Sequence, residues 1–403
     1  MSPIDEVDAT RRMKIAMVTT HPIQYQVPWL RLLGQRPGID LHVFFAMLPD
    51  ADQQGREFGV AFQWDIPLLG GYAHTVLDNV AQHPSLTAFG GCDTPGIRDE
   101  LKRGRFDAVI VNGWGTKSCL QALLACRLQG IPCIVRGEAN GLRPRAAWKR
   151  FLHARLLSQY AACLAIGSNN RRYLLDAGVP SSRIFDTPYC IDNESFATAA
   201  DRWRSAPGVT ALKARFGLDL ARATFLFSGK FVDKKRPGDI IAALARMTEA
   251  DRARIQVLLV GDGPLAADLR AQAEGLPVHF SGFLNQSEIT AAYAAADCLV
   301  LPSDSGETWG LVVNEAMACG LPALVSDQVG CAIDLVEPGI TGERYRCGDV
   351  AALAELLARL GADRDGLARM GQAARERVVR GYTFTRVVDG AMAALSHVTE
   401  SSR

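Results

Sequence analysis

The stretch with the clearest chemical potential is "SDSGETWGLVVNEAMACGLP", which holds Glu307 and Glu315 among small and apolar residues. These carboxylates could accept hydrogen bonds from hydroxyl groups, Glu307 from a sugar and Glu315 from a ribose. The turn around Gly306 and Gly310 would let a ligand approach the backbone closely. The unpaired amides at the following helix start would attract an anion such as a diphosphate. The alternative is that both glutamates are ordinary carboxylates of a helix start and a helix surface.

Two further turns carry residue types that fit the same ligand. "FSGKFVDKKRP" places Lys230 and Lys235 beside Gly229, where ammonium groups could neutralise charge that develops on a departing phosphate. "LLVGDGPL", with Gly261, and "HFSGFLN", with Phe283, are glycine turns after later strands. Each turn alone could be an ordinary solvated loop. Their order along one α/β domain predicts a single pocket.

The elements that would position these turns alternate between short β-rich runs and longer helical patterns. The runs "KIAMVTT", "LHVFFAM", "FDAVIVNG", "PCIVRGE", "ACLAIGS" and "RIFDTPY" come first. A second series follows, with "ATFLFSG", "QVLLVGDG", "VHFSGF", "CLVLPS" and "PALVSD". This alternation predicts two α/β domains with parallel sheets, and the turns lie at the carboxyl ends of strands, where open sheets bind ligands.

The domain boundary is predicted where the strand pattern stops, near Cys190 to Glu194 in "TPYCIDNESF". We expect a first Rossmann-like domain over residues 13–190, which binds the acceptor, and a second over 191–383, which binds the donor. Residues 384–403 form a predicted C-terminal helix and tail that could pack back on the first domain. A cleft between the domains would hold the substrates.

Composition excludes several classes of protein. The 44 basic and 43 acidic residues leave a formal net charge of +1, which gives no sign of a nucleic-acid partner. The ten cysteines show no zinc spacing or C-x-x-C pair, so reduced core thiols are expected. No apolar run approaches the ~20 residues of a membrane span, and no signal peptide is apparent. We therefore expect a cytoplasmic protein, with peripheral contact at the inner membrane face as a second option.

With these motifs together, the sequence resembles the glycosyltransferases of family 4, with the GT-B architecture of two Rossmann-like parallel-sheet domains facing each other across a cleft. The motifs are the E-x7-E pair Glu307/Glu315, the lysine turn "GKFVDKKRP", and the segments "VGDGP", "FSGFLNQSEITAAYAAADCLVLPS" and "GCAIDLVEPGITG". The resemblance implies transfer of a sugar from a nucleotide sugar, UDP- or GDP-linked, with retention of anomeric configuration. It also implies that no metal and no further cofactor is bound.

The resemblance assigns roles to residues of the second domain. It implies catalytic roles for Lys230 and Lys235 at the donor diphosphate and for Glu307 at the sugar hydroxyls. It implies that Glu315 contacts the ribose. The remaining donor-binding positions act largely through their backbone: Gly229 and Gly261 at strand ends, Thr308, Trp309, Gly310 and Leu311 at the phosphates, and Phe283 and Leu284 at the base. In the family the position of Lys230 more often holds arginine, so a point charge replaces a bidentate fork here.

The first domain departs further from the family pattern. The usual Gly-Gly loop is replaced by "THPIQYQVPW" and the usual histidine region reads "VRGEANGLRPR". Five residues at predicted strand ends are candidates for acceptor or phosphate contact because of their position: His21, Gln24, Tyr25, Arg136 and Glu138. His21 could equally be a capping residue before Pro22. "WDIPLLGGY" resembles a subset of the family from polysaccharide and glycoconjugate pathways, so a saccharide or lipid-linked acceptor is expected.

One helix of the first domain is predicted to be basic and amphipathic. "LRPRAAWKRFLHARLLSQY" places Trp148, Phe151, Leu152 and Leu156 among five cations, a pattern typical of peripheral contact with an anionic membrane. The alternative is a basic surface helix whose apolar side packs on the domain.

The mechanism that the resemblance implies is cleavage of the anomeric C–O bond through an oxocarbenium-like state. The acceptor hydroxyl would attack from the same face, with the leaving phosphate as a candidate base. Two other functions are open: a sugar-nucleotide epimerase or sugar phosphorylase on the same fold, and an inactive GT-B partner protein.

Overall fold

The computed structural model describes residues 12–55 and 59–400. Residues 1–11, residues 56–58 and the last three residues of the predicted C-terminal tail lie outside the described part. Within it, no helix has the length and apolar character that crossing a bilayer requires. The ten cysteines are all unpaired, and nine of them are buried.

The first sheet has seven parallel strands in the order β3-β2-β1-β4-β5-β6-β7. Its strands are β1 (Met13–Thr19), β2 (Ile39–Phe45), β3 (Ala73–Val76), β4 (Ala108–Asn112), β5 (Cys133–Arg136), β6 (Ala162–Ala165) and β7 (Ile184–Asp186). Its helices are α1 (Val27–Gly34), α2 (Ala51–Gly55), α3 (Ile97–Gly104), α4 (Lys117–Gln129), α5 (Ala147–Leu157) and α6 (Ser168–Asp176), with 3-10 helices at Phe89–Gly91 and Ser181–Arg183.

The second sheet has six parallel strands in the order β10-β9-β8-β11-β12-β13. Its strands are β8 (Ala223–Ser228), β9 (Ile255–Val260), β10 (Val278–Gly282), β11 (Cys298–Leu301), β12 (Ala323–Ser326) and β13 (Gly342–Tyr345). The helices from its start onward are α7 (Asn193–Trp203), α8 (Val209–Arg215), α9 (Gly238–Arg246), α10 (Glu249–Arg252), α11 (Ala266–Gln272), α12 (Ile289–Ala295), α13 (Leu311–Ala318), α14 (Ala332–Leu335), α15 (Val350–Ala362), α16 (Arg364–Gly381) and α17 (Phe384–Glu400), with a π-helical turn at Arg204–Gly208 and a 3-10 turn at Asp233–Lys235.

The central strands are continuous apolar runs because helices cover both faces of each sheet. All six residues of β8 and all six of β9 are buried. Two strands escaped the sequence analysis. β3, "AHTV", has no fully buried residue, and β13, "GERY", has two charged residues at its centre, so neither resembles an apolar run. Both lie at an edge of their sheet.

The strand order explains where the chemistry is. In each sheet the chain reverses direction across the sheet, between β1 and β4 in the first and between β8 and β11 in the second. Loops that leave two such neighbouring strands diverge and open a crevice. The lysine turn follows β8. The loop over residues 302–310, which carries Glu307 and is named the glutamate loop, follows β11. The fold therefore brings both segments to one crevice.

The C-terminal helix returns to the first domain. The side chains of Val388, Ala391 and Leu395 on α17 are buried in the same cluster as Ile15 and Met17 of β1. The chain passes into the second domain between β7 and α7, the interval that contains the predicted boundary at residue 190. The boundaries 13–190 and 191–383 themselves stay a prediction.

Candidate active site

A cavity of about 780 Å³ is lined by residues from both sheets' loops. The second domain contributes Lys230, Lys235, Glu307 and Glu315, together with the backbone positions that the resemblance assigned: Gly229, Gly261, Phe283, Leu284, Thr308, Trp309, Gly310 and Leu311. The fold therefore brings all of the predicted donor-side residues to one cavity. Which ligand contacts each of them make stays a prediction.

The cavity wall at the ends of β8 and β9 is made of backbone in close contact. Parallel pairing sets Ser228 opposite Val260, so Gly229 and Gly261 follow at the same level. A Cβ atom on Gly261 would lie 1.9 Å from the carbonyl oxygen of Gly229, and the φ of Gly261 is +133°. Only glycine fits this position, since any side chain would push the two strand ends apart.

Helix α13 begins at the cavity. Its N-cap residue Gly310 has a φ of +98°, a left-handed conformation that favours glycine. Leu311 and Val312, the first two helical residues, both line the cavity. In the described part of the chain, no acceptor pairs with the amide of either residue. These amides and the positive end of the helix dipole form an anion-binding surface.

Glu307 and Lys235 form an ion pair in the cavity wall, with 14% and 13% of their side chains exposed. The hydroxyl of Ser303 lies 3.4 Å from the same carboxylate. This pairing was not foreseen from the sequence, which treated Lys235 as a phosphate contact and Glu307 as a sugar contact. The pair keeps both charges partly desolvated beside the helix start, where either can exchange its partner for a ligand group.

Glu315 lies one turn into α13, where the hydroxyl of Tyr293 donates to its carboxylate at 2.6 Å. Burial raises the pKa of Glu315 to about 7, although the Tyr293 hydrogen bond and the charge of Lys235 act in the opposite direction. Glu315 is therefore no solvated surface carboxylate. Tyr293 is a hydrogen-bond partner of Glu315 that could not be identified from the sequence. The tyrosine within "AAYAAAD" resembles a core residue, and it is fully buried.

Trp309 lines the cavity, but its side chain is buried. Its ring is 3% exposed, and its indole nitrogen donates to Asn314 at 2.8 Å. The neighbouring Thr308 hydroxyl donates to Glu138 of the first domain at 3.0 Å. The side chain of Asn140 donates to the carbonyl oxygen of Thr308 at 3.1 Å. The loop that carries Glu307 is thus held from the opposite domain.

The first-domain candidates divide into two groups. Gln24, Tyr25 and Glu138 line the cavity, whereas His21 and Arg136 are not among its lining residues. The expectation that the last two side chains face the cleft is corrected here. The physical reason is that each is occupied elsewhere, as their surroundings show.

Arg136 ends β5 but is only 2% exposed. Its guanidinium lies 4.4 Å from the ring centroid of Tyr189, in a cation–π contact. His21 shares a hydrogen bond between its Nδ1 and the Thr20 hydroxyl at 2.9 Å. Burial lowers the pKa of His21 to about 4, so the imidazole is neutral at neutral pH.

A second set of contacts between the domains lies beside the predicted base site. The ring of Phe62 is 4.5 Å from that of Phe283, and Asn285 donates to the carbonyl oxygen of Gln63 at 2.9 Å. Trp64 lines the cavity nearby. Of these residues only Trp64, at the start of "WDIPLLGGY", was part of the sequence prediction, as a mark of a subfamily. The aromatic residues Phe62 and Trp64 beside a stretch rich in glycine and proline were the signal available.

Comparison with known proteins agrees with this architecture. The family model of "Glycosyl transferases group 1" matches residues 209–377, which include the lysine turn, the glutamate loop and α13. Sulfoquinovosyl transferase SQD2 of Arabidopsis thaliana is 40% identical over 124 residues, which cover 30% of this chain and 24% of that protein. N-acetyl-alpha-D-glucosaminyl L-malate synthase of Bacillus anthracis is 30% identical over 185 residues, which cover 45% of this chain and 47% of that protein.

Solved structures extend the likeness to nearly the whole chain. The Anabaena protein Alr3699/HepE, crystallised with UDP and glucose, superposes with a TM-score of 0.69 at 17% identity, covering 96% of this chain and 100% of that one. The resemblance to GT-B glycosyltransferases is thereby confirmed: the fold is GT-B, and the second domain matches the group 1 glycosyl transferases. The two curated relatives above are aligned over less than half of their lengths.

Proposed function

We propose that the protein is an enzyme that transfers a sugar from a nucleotide sugar to a hydroxyl group of an acceptor, with retention of anomeric configuration and without a bound metal. The observation that carries the proposal is the convergence of Lys230, Lys235, Glu307 and the start of α13 on one cavity between two domains. UDP and glucose in the structure of Alr3699/HepE support a UDP-linked donor, and a GDP-linked donor is the alternative.

The diphosphate of the donor binds between the lysine turn and α13. Lys230 and Lys235 line the cavity after β8, and the amides of Leu311 and Val312 line it after β11. Two cations and a helix start neutralise the charge that develops on the departing diphosphate. This is the stabilisation that a metal ion would otherwise supply.

The sugar and the nucleoside lie on either side of the diphosphate. Glu307 accepts hydrogen bonds from sugar hydroxyls when Lys235 turns to a phosphate, because both partners of the ion pair then gain a new contact. Glu315 accepts a hydrogen bond from a ribose hydroxyl with the oxygen that Tyr293 leaves open. The backbone of Phe283 and Leu284 contacts the base.

In the reaction the bond between the anomeric carbon and the diphosphate oxygen breaks, and the electron pair leaves with the diphosphate. The acceptor oxygen forms a new bond to the anomeric carbon on the same face. Its proton passes to the departing phosphate. Glu307 and Glu315 act in binding, because they contact the sugar hydroxyls and the ribose rather than the bond that breaks.

The acceptor approaches from the first domain, where Gln24, Tyr25 and Glu138 line the cavity. These side chains offer an amide, a phenol and a carboxylate, all of which bind hydroxyl groups. A saccharide or a lipid-linked saccharide fits this chemistry. The proposed role is therefore in the biosynthesis of a polysaccharide or glycoconjugate.

The proposal is tested by incubating the protein with UDP- and GDP-sugars and a panel of saccharide acceptors in the presence of EDTA. Proton NMR of the anomeric signals identifies each product. We expect a glycoside with the anomeric configuration of the donor, formed at the same rate with and without EDTA. An inverted product would refute retention, and a rate abolished by EDTA and restored by a divalent ion would refute metal-free transfer. A new sugar nucleotide in the absence of acceptor would identify an epimerase instead.

A further inference from the structure

Helix α5 presents an unpartnered apolar face to solvent. Trp148, Phe151 and Leu152 are 62%, 64% and 54% exposed. Their spacing of three and four residues puts all three side chains on one face of the helix. Single exposed apolar residues are ordinary on protein surfaces, but a contiguous group of large ones marks an interaction site.

The opposite side of α5 fixes the helix to the first domain. Leu157 is buried and Leu156 packs partly buried on the same core cluster, so the expectation that Leu156 belongs to the exposed face is wrong. His153 shares a hydrogen bond with the hydroxyl of Tyr173 on α6. The helix is therefore anchored by one side, and its exposed face is available to a partner.

Charge identifies the kind of partner. Residues 139–175 contain no aspartate or glutamate but seven arginines and lysines, although the whole chain carries a formal net charge of only +1. The basic charge is thus concentrated in this segment. Its members are Arg143, Arg145, Lys149, Arg150, Arg155, Arg171 and Arg172.

The cations lie beside the apolar side chains. The Lys149 ammonium is 5.3 Å from the ring centroid of Trp148, and the Arg155 guanidinium is 5.9 Å from that of Phe151. Lys149, Arg150 and Arg155 are all exposed, and within the described part of the chain no acidic side chain pairs with them. An acidic surface with an apolar layer beneath it complements this arrangement.

We propose that α5 docks on a bilayer of anionic phospholipid. Trp148, Phe151 and Leu152 enter the boundary between headgroups and acyl chains, where amphipathic helices bury an apolar face. Lys149 and Arg155 contact the lipid phosphates, and the long stems of these side chains let the charges remain at the headgroup level, while Arg150 adds to the basic charge of the segment. The basic segment is the source of specificity for anionic over neutral lipid.

The segment before α5 is joined to the active-site loop by two hydrogen bonds. Arg145, just before α5, donates to the carbonyl oxygen of Asn140 at 2.6 Å. Asn140 in turn donates to the backbone of Thr308 in the glutamate loop. These two hydrogen bonds connect the start of α5 to the loop that carries Glu307, and a lipid-linked acceptor fits a membrane-bound helix so connected to the site. This acceptor class rests on the proposed function, whereas the vesicle experiment below needs no nucleotide sugar.

The test is cosedimentation of the full chain with vesicles of phosphatidylcholine, alone or mixed with phosphatidylglycerol. We expect the protein to pellet with the mixed vesicles only, and to be released at high salt because exposed charges are screened. The double variant Trp148→Ser/Phe151→Ser and the triple variant Lys149→Gln/Arg150→Gln/Arg155→Gln should each bind at least about tenfold more weakly.

Matched variants on other surfaces provide the controls. Leu220→Ser/Ile340→Ser removes two apolar side chains that are 48% exposed each. Lys102→Gln/Arg246→Gln/Arg254→Gln removes three other exposed cations. Both should bind vesicles as the unaltered chain does.

Three results would overturn the proposal. These are no binding of the folded protein to mixed vesicles, equal binding to neutral vesicles, and equal loss of binding in the α5 and control variants. Nucleotide-sugar transfer to a soluble acceptor should be unchanged in the α5 variants, so this inference and the proposed function can fail separately.

Discussion

The two domains contribute to the cleft in different ways. The second domain shapes it with backbone, through the contact between Gly229 and Gly261 and the left-handed Gly310 before α13. The first domain contributes side chains that reach across, such as Glu138 to Thr308. A cavity wall formed by backbone atoms in close contact accepts few residue types. A wall formed by side chains can be made with other residues. The half of the site in the second domain is therefore closely specified in residue type, and the half in the first domain is the adaptable half.

The largest predicted effect tests the backbone surface. Gly261→Ala would place a Cβ atom 1.9 Å from the Gly229 carbonyl oxygen, at a φ of +133°. We expect the free energy of unfolding to fall by about 3 kcal/mol or more and nucleotide binding to be lost. Urea denaturation measures the change in the free energy of unfolding.

Gly275→Ala is the matched control, because its φ is +75° but nothing lies within 4 Å of the added Cβ atom. It should cost only about 1 to 2 kcal/mol, the conformational term alone. Equal losses in the two variants would refute the close-contact explanation.

The ion pair of the second domain comes next. Lys235→Ala removes a cation from the proposed diphosphate site and leaves Glu307 without its partner. We expect kcat/KM to fall by about a thousandfold, in the range measured for a lost transition-state contact. The measurement is steady-state kinetics with the donor and acceptor that the transfer assay identifies. Lys235→Arg keeps the charge and should recover part of the rate, so a variant as slow as Lys235→Ala would contradict a role through charge.

Glu315 gives a pH-dependent prediction. Burial raises its pKa to about 7 from an ordinary value of 4.5, so the folded state binds more protons than the unfolded state between these values. Stability should therefore fall as pH rises through this window and level off above it. Glu315→Gln cannot ionise, so its stability relative to the unaltered chain should rise by roughly 3 kcal/mol across the same window. Denaturation curves at both ends of the window measure it, and a difference independent of pH would contradict the buried carboxyl.

The smallest effect is expected from the hydrogen bond between Thr308 and Glu138, which connects the two domains across the cleft. Thr308→Val keeps the side-chain shape but removes the hydrogen bond to Glu138. We expect about a tenfold loss in kcat/KM, because a bond to a charged group is lost at one position only. Thr308→Ser restores the hydroxyl and should restore the rate. No change in Thr308→Val would mean that the adaptable half of the site does not position the loop.

The same contrast explains how far the sequence could be interpreted. The crevice of the second domain was predicted from continuous apolar runs such as β8 and β9 and from the glycine turns after them. The prediction was possible because close backbone contacts require glycine. The edge strands β3 and β13 were missed because exposed strands lose that apolar pattern. Arg136 and His21 were placed correctly at strand ends, but sequence position does not give the direction of a side chain.

Contacts between segments that are distant along the chain could not be predicted from the sequence. The pairs Lys235 with Glu307 and Tyr293 with Glu315 join residues on different strand ends or helices, and only the fold brings them together. Tyr293 in particular sits in a helix of alanines, where its apolar neighbours indicate a core position. Its hydroxyl acquires a partner only because the fold brings the side chain of Tyr293 to Glu315 of α13.

Binding of a nucleotide sugar by the second domain is measured by calorimetric titration with UDP, GDP, ADP and their sugar conjugates. We expect micromolar binding of one nucleotide, at least about tenfold weaker in Lys230→Ala and unchanged in Lys102→Ala, whose lysine is exposed on α3. Absence of binding by the folded protein, or equal affinity in Lys230→Ala, would contradict it.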